Sequence, residues 1–308
     1  MNAAIELTGV TKTFGRHTAV DSLDLSVPQG AVYGFIGPNG SGKTTTLRMI
    51  LRILYPEAGH IVVLGKDRGT TADDRLGYLP EERGLYPKMK VRELLAFHAR
   101  LKGRTSPRRA VDDWLARFDL SEWADKKVEA LSKGMAQKVQ FIAAVVSGPE
   151  LVILDEPFSG LDPVNAIVLN DAVLALKAAG ATILFSTHDM ETAERLCDTI
   201  CMIHEGRKVL DGTLDEISGA YGQDTIRVRT ANGIGDLRAL PGVAHTTDRG
   251  RFRELRLTPG ADPQEILQQL AAQTRVEHFE VTRPSLRDIF VRIAGPITQV
   301  VSEEPQHA

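Results

Sequence analysis

Residues 5–36 alternate between apolar and polar with a period of two, and the alternation breaks at Gly15, Pro28 and Gly30. This predicts that the chain opens as short strands of a sheet. Over residues 91–147 the period changes. Apolar side chains recur at three and four, as in Leu94 and Leu95 or Trp114, Leu115 and Phe118, so a mostly helical block interrupts the sheet. Strand-like runs return at 151–154, 182–186 and 200–203, separated by helical stretches at 166–179 and 190–197. Strands alternating with helices predict an α/β fold with a parallel sheet covered on both faces.

Around residues 218–223 the pattern loses its periodicity, and a new rhythm follows: strand, helix, strand, strand, helix, strand, helix. That order predicts a second, small α+β domain of ferredoxin-like type. Its last helix is signalled by Pro284 and Ser285, with Asp288 at capping-box spacing and an apolar stripe of Leu286, Ile289, Phe290 and Ile293. The expected boundaries are 1–218 for the first domain, with its helical subdomain at about 91–147, and 224–295 for the second. A tail at 296–308, rich in Glu and Gln, is expected to be disordered.

Composition narrows the class without settling it. A hydrophobic fraction of 43% with 25% charged residues belongs to folded globular chains. The 37 Lys and Arg against 40 Asp and Glu leave a net charge of -3 and no basic footprint, so nucleic acid is not expected as a partner. No apolar run reaches the roughly 18 residues a membrane helix needs, and residues 1–10 lack the pattern of a secretory signal, so a cytosolic chain is expected. The two cysteines, Cys197 and Cys201, are too few for a disulfide framework and read as small core side chains.

The chemistry begins at Gly37-Pro38-Asn39-Gly40-Ser41-Gly42-Lys43-Thr44-Thr45. This is a P-loop pattern between an apolar strand at 31–36 and a helical run at 45–54, the context the motif requires. Its glycines let backbone N–H groups and a helix N-terminus face phosphate oxygens, with Lys43 on the β- and γ-phosphates and Thr44 on Mg²⁺. The apolar strand 151–154 ends in Asp155 and Glu156, which predicts a metal carboxylate followed by a general base.

The order of motifs over residues 5–211 resembles the ABC family of ATPases. Phe14 resembles the aromatic residue that stacks on adenine, Leu131-Ser132-Lys133-Gly134-Met135 the signature loop, and Ser159-Gly160-Leu161-Asp162-Pro163 the loop that crosses to a partner subunit. His188, within Ser186-Thr187-His188-Asp189, is similar to the switch histidine at the γ-phosphate. The resemblance implies an ABC cassette, a P-loop NTPase with a RecA-like core, an N-terminal antiparallel sheet and a helical subdomain. It implies ATP and Mg²⁺ as cofactors, and each nucleotide held between one chain's P-loop and Ser132, Gly134 and Asp162 of another. With one P-loop, the chain is expected to pair with a second ATPase subunit, a copy of itself or a relative. It is expected to energise a separate membrane permease from the inner face of the cell membrane, and the second domain looks like the extra domain of exporter ATPases.

Two motifs depart from the family pattern. The usual signature is Leu-Ser-Gly-Gly-Gln, and Lys133 and Met135 replace its third and fifth residues. In Gly77-Tyr78-Leu79-Pro80-Glu81-Glu82-Arg83 the family's Gln is Glu81, expected here as a metal-linked sensor, with pairing to Arg83 as the alternative. Rival functions are a soluble ABC-fold ATPase acting on ribosomes or DNA, which usually carries two cassettes or a long coiled-coil insertion, and a nucleotide-gated module of low turnover. The chain has neither extra feature, and Glu156 and His188 speak against the second.

Overall fold

The alternating N-terminal segment folds as a long antiparallel hairpin, β1 (Ala3–Phe14) with β2 (His17–Pro28), closed by a register that sets Phe14 opposite His17. The computed structural model describes residues 2–67, 74–82, 84–221, 224–231, 237 and 240–295. The apolar run after Gly30 becomes β3 (Val32–Ile36), buried along its whole length, and the phosphate loop leads from it into α1 (Lys43–Ile50). That helix was expected to reach Leu54. It stops earlier because Arg52 adopts a φ of 62°, with Ile53 N–H bonded to Arg48 O and Arg52 N–H to Met49 O, the pattern of a Schellman C-cap. Strands β4 (Ala58–Val63) and β5 (Lys66–Asp67) then extend the hairpin into a four-stranded sheet ordered β2-β1-β4-β5.

The second sheet holds the site. After β6 (Leu76–Leu79) the helical block supplies α2 (Val91–Leu101), α3 (Arg108–Arg117) and α4 (Lys133–Val145), and the end of α3 packs on α4 through Trp114, Phe118 and Phe141, whose ring centroids lie 5.6 to 6.1 Å apart. The chain then alternates β7 (Leu151–Asp155), α5 (Pro163–Ala178), β8 (Thr182–Thr187), α6 (Met190–Leu196), β9 (Thr199–His204) and β10 (Arg207–Thr213). The sheet runs β10-β9-β3-β8-β7-β6, parallel except for the edge strand β10. Strands β3, β7 and β8 are buried at every residue, as continuous apolar runs in a sheet covered on both faces must be.

The chain divides into compact units Met1–Thr213 and Leu214–Ala308, so the first ends five residues before the expected 218 and the second begins ten residues before the expected 224. The second unit opens with α7 (Leu214–Tyr221) and builds a sheet from β11 (Thr225–Thr230), β12 (Val243–Asp248), β13 (Arg253–Leu257) and β14 (Val276–Thr282), with α8 (Pro263–Gln273) and α9 (Leu286–Ala294). Its order, β12-β13-β11-β14, all antiparallel, is that of a split βαβ fold. The helix expected between β11 and β12 falls mostly outside the described residues, as does the tail at 296–308. Ser285 and Asp288 form the capping box of α9.

Candidate functional site

Strand register assembles the site. Ile36 of β3 lies beside Thr187 of β8, and Asp155 of β7 beside Ser186, so three adjacent parallel strands deliver Gly37, His188, Asp155 and Glu156 to one rim. Backbone bonds close that rim: Gly37 N–H donates to Thr187 O and Glu156 N–H to Ser186 O, each at 3.2 Å. Asp189 fixes the far side of His188 by capping α6, its Oδ1 accepting from the N–H groups of Glu191 (3.1 Å) and Thr192 (3.3 Å).

The phosphate loop depends on glycine where it enters the helix. Gly42 has a φ of 106°, and a Cβ there would stand 2.3 Å from Ala19 O. Helix α1 starts at the next residue, and the N–H groups of its first turn have no intrahelical acceptor, so its positive end is suited to an anion. Lys43 Nζ donates to Gly37 O (2.7 Å) and Pro38 O (3.1 Å) and lies 3.7 Å from Glu156 Oε1. Burial holds its ammonium below the ordinary range, against the opposing pull of Glu156, Asp155 and Glu81.

Asp155 is 1% exposed. Its Oδ1 accepts from Thr44 Oγ1 (3.4 Å) and Ser186 Oγ, while Oδ2 is buried without a partner, as is Ser41 Oγ in the phosphate loop. A buried carboxylate oxygen left over beside a hydroxyl is a hard-oxygen donor set, so these residues fit a small divalent cation such as Mg²⁺. Glu156 follows β7 in a left-handed conformation, φ 48°, which costs about 1–3 kcal/mol at a non-glycine residue. The turn sets Glu156 Oε1 3.0 Å from His188 Nδ1, which joins the two candidate catalytic residues directly.

A cleft of about 440 Å³ lies over the loop, walled by Asn39, Gly40, Gly42 and the α1 residues Lys43, Thr44 and Thr45. Phe14 enters it from the end of β1, half exposed, with Lys12 Nζ 5.3 Å from its ring centroid. Glu156 and Glu81 also line it. Glu81 arrives there because Leu79 pairs with Leu154, so the residue two beyond β6 lies level with the residue two beyond Leu154. Its alternative partner Arg83 is outside the described residues. Both glutamates also line a second, polar cleft of about 200 Å³, against Lys133, Gln137 and Gln140 on one face of α4.

Ser132, Gly134 and Asp162 do not line the nucleotide-sized cleft of their own chain. Ser132 caps α4, accepting from Met135 N–H (3.3 Å), and Asp162 caps α5, accepting from Asn165 N–H (3.0 Å). Sequence reasoning missed His17 and Ala19, which line the cleft from β2, and Ser186, which binds Asp155. His17 follows from the hairpin partner of Phe14. Ser186 follows only from the β7–β8 register, which no local pattern gives.

Residues 20–159 match the ABC transporter family, and residues 212–294 match the C-terminal domain of DrrA1-3-like ATP-binding proteins. An uncharacterized ABC transporter ATP-binding protein of Bacillus subtilis, YhaQ, is 45% identical over 94% of this chain and 97% of its own length. Nod factor export ATP-binding protein I of Burkholderia lata is 36% identical over 95% and 97%. A solved ATP-binding subunit of an ABC transporter superposes with a TM-score of 0.67 at 33% identity, covering 71% of this chain and 93% of that one. This chain belongs to the ATP-binding proteins of ABC transporters, a family of ATPases that hydrolyse ATP to drive transport.

Proposed function

We propose that the chain is the ATP-hydrolysing half of an exporter, working as a dimer with a second such subunit beneath a separate membrane permease on the inner face of the cell membrane. The observation that carries the reading is the convergence on Glu156, whose Oε1 lies 3.0 Å from His188 Nδ1 and 3.7 Å from Lys43 Nζ at the mouth of the phosphate loop. The export direction is supported by the Nod factor export relative and by the DrrA-like second domain. No helix among the described residues is long and apolar enough to cross a membrane, which fits a subunit that depends on a permease.

Lys43 and the α1 N-terminus hold the β- and γ-phosphates of ATP, and Phe14 stacks on its base. Thr44 and Asp155 are the residues that would hold Mg²⁺, with Glu81 as a further oxygen at the cleft wall; the ion, when bound, neutralises charge on the phosphates. Glu156 takes the proton of the attacking water, and His188 keeps that carboxylate oriented and reaches the γ-phosphate. Ser132, Gly134 and Asp162 serve the nucleotide of the second subunit. Phosphate release from the full chain with ATP and Mg²⁺, compared with Lys43→Ala, tests the reading: a rate unaffected by the substitution would overturn it.

A further inference from the structure

The face of α4 that follows the signature loop carries two glutamines one turn apart, and each is spent on backbone carbonyls of a loop at the site. Gln137 Nε2 donates to Pro157 O (2.8 Å) and Ser159 O (3.2 Å). Gln140 Nε2 donates to Pro80 O (3.3 Å) and Glu82 O (3.0 Å), the two residues that flank Glu81. Gln140 is 7% exposed, whereas Glu81 and Glu82 are exposed. A buried amide therefore grips the backbone on both sides of an otherwise solvent-facing carboxylate.

The surroundings make this grip directional. Strand β6 already touches α4, for a Cβ on Gly77 would stand 2.3 Å from Ala144 O. Beyond Leu79 the strand ends, and the two bonds from Gln140 tie the loop to the helix. Ser132 and Gly134 lie at the N-terminal end of the same helix. A rigid helix joins the two sites, so a movement of α4 is passed to the backbone that holds Glu81.

We propose that Gln140 is a positioning residue: it ties the Glu81 loop to α4, so that Glu81 keeps its place at the cleft wall only while the loop and the signature helix move as one. This rests on the function proposed above for Glu81. The bland alternative is a core amide satisfying whichever carbonyls lie near. The two differ in what happens when the amide is removed, because Pro80 O and Glu82 O sit in an exposed loop where water can replace it.

The test uses the full chain with Gln140→Leu, which removes the donor at similar size, and Gln140→Glu, which turns an acceptor toward both carbonyls. Hydrogen exchange without nucleotide should speed up in peptides covering residues 79–84 by about tenfold, with the protection of β7 unchanged. For ATP hydrolysis, kcat should fall by about tenfold with KM for ATP within about twofold, and the loss should vanish in a Glu81→Ala background. Loop exchange equal to that of the parent would overturn the proposal, as would a kcat loss of the same size with Glu81 absent. If the parental chain shows no turnover, the functional reading fails, and the exchange measurement alone decides the role of Gln140.

Discussion

Glu156 Oε1 and His188 Nδ1 lie 3.0 Å apart although 32 residues separate them in the chain. The contact is made by the β7–β8 register together with the left-handed turn at Glu156. A strained backbone at a buried carboxylate is held by its neighbours, here the bonds from Glu156 N–H to Ser186 O and Ser186 Oγ. Glu156→Gln keeps size and backbone and removes the base. It should bind ATP as the parent does, lose about 10²–10⁴ in turnover and accumulate an ATP-bound dimer. Phosphate release and gel filtration measure both, and parental turnover in the variant would remove Glu156 from the mechanism.

Much of this site was legible in the sequence for a physical reason. The phosphate loop is local chemistry: glycines at fixed offsets between an apolar strand and a helix leave few other uses for Lys43 and Thr44. Asp155 and Glu156 were legible as the polar end of a buried strand. What could not be read was everything that depends on register and tertiary contact. Ser186 is two residues from His188 in sequence, yet its partner Asp155 is 31 residues away. Gln137 and Gln140 look like ordinary polar positions on a helix until the loops beside α4 are in place. The early end of α1 was hidden because Arg52 takes a left-handed conformation that favours glycine or asparagine.

Ser186→Ala tests the support behind Asp155, the proposed metal carboxylate. Ser186 is fully buried, its Oγ donating to Asp155 Oδ1 and accepting from Glu156 N–H at 3.1 Å. Loss of the hydroxyl leaves the Glu156 N–H its bond to Ser186 O, so the fold should survive at a cost of about 1–2 kcal/mol. Asp155 loses its orientation, and the Mg²⁺ concentration for half-maximal ATPase should rise. An unchanged Mg²⁺ midpoint would show that Ser186 serves stability alone.

Dimer use of the signature loop calls for a substitution that spares α4. Because Ser132 caps that helix, a large residue there would weaken the fold as well as the site. Ser132→Asp retains a capping oxygen and opposes a phosphate. Each of Lys43→Ala and Ser132→Asp should be inactive alone. Mixed, they place both lesions in one composite site and leave the other intact, so activity should return to about a quarter of parental if chains pair at random and sites act independently. Demonstrated mixed dimers without recovery would count against a shared site.

The end of the first unit can be tested by where it is cut. A fragment of residues 1–213 keeps β10 and with it Asp211, whose Oδ1 accepts from the buried Tyr33 hydroxyl at 2.8 Å. That fragment should unfold in one cooperative transition and bind ATP. A fragment of residues 1–206 strips the edge strand and leaves Tyr33 without its acceptor, a loss of about 1–3 kcal/mol from that group alone. Circular dichroism during heating separates the two; equal midpoints would mean that β10 contributes nothing to the sheet.

Glu81 stands where the family motif has Gln, and it lines the candidate site, as Lys133 of the altered signature loop lines the second cleft. Glu81 lines the nucleotide-sized cleft, and its charge is felt by Lys43. A carboxylate there can ligate Mg²⁺ more strongly than an amide and has no N–H to donate, so it should lower the metal requirement while adding repulsion toward phosphate. Lys43 and the metal must offset that repulsion together. Glu81→Gln should therefore remain active with a higher Mg²⁺ midpoint, and the shift should be largest at low ionic strength, where an exposed carboxylate is least screened. Glu81→Ala should keep ATP affinity within about twofold and lose the stimulation of ATPase by the permease, because it removes the sensor without touching Lys43, Thr44 or Asp155. Titrating Mg²⁺ across the parent and both variants decides the matter: three coincident midpoints would exclude a metal role for Glu81 and leave its loop as a mechanical link only.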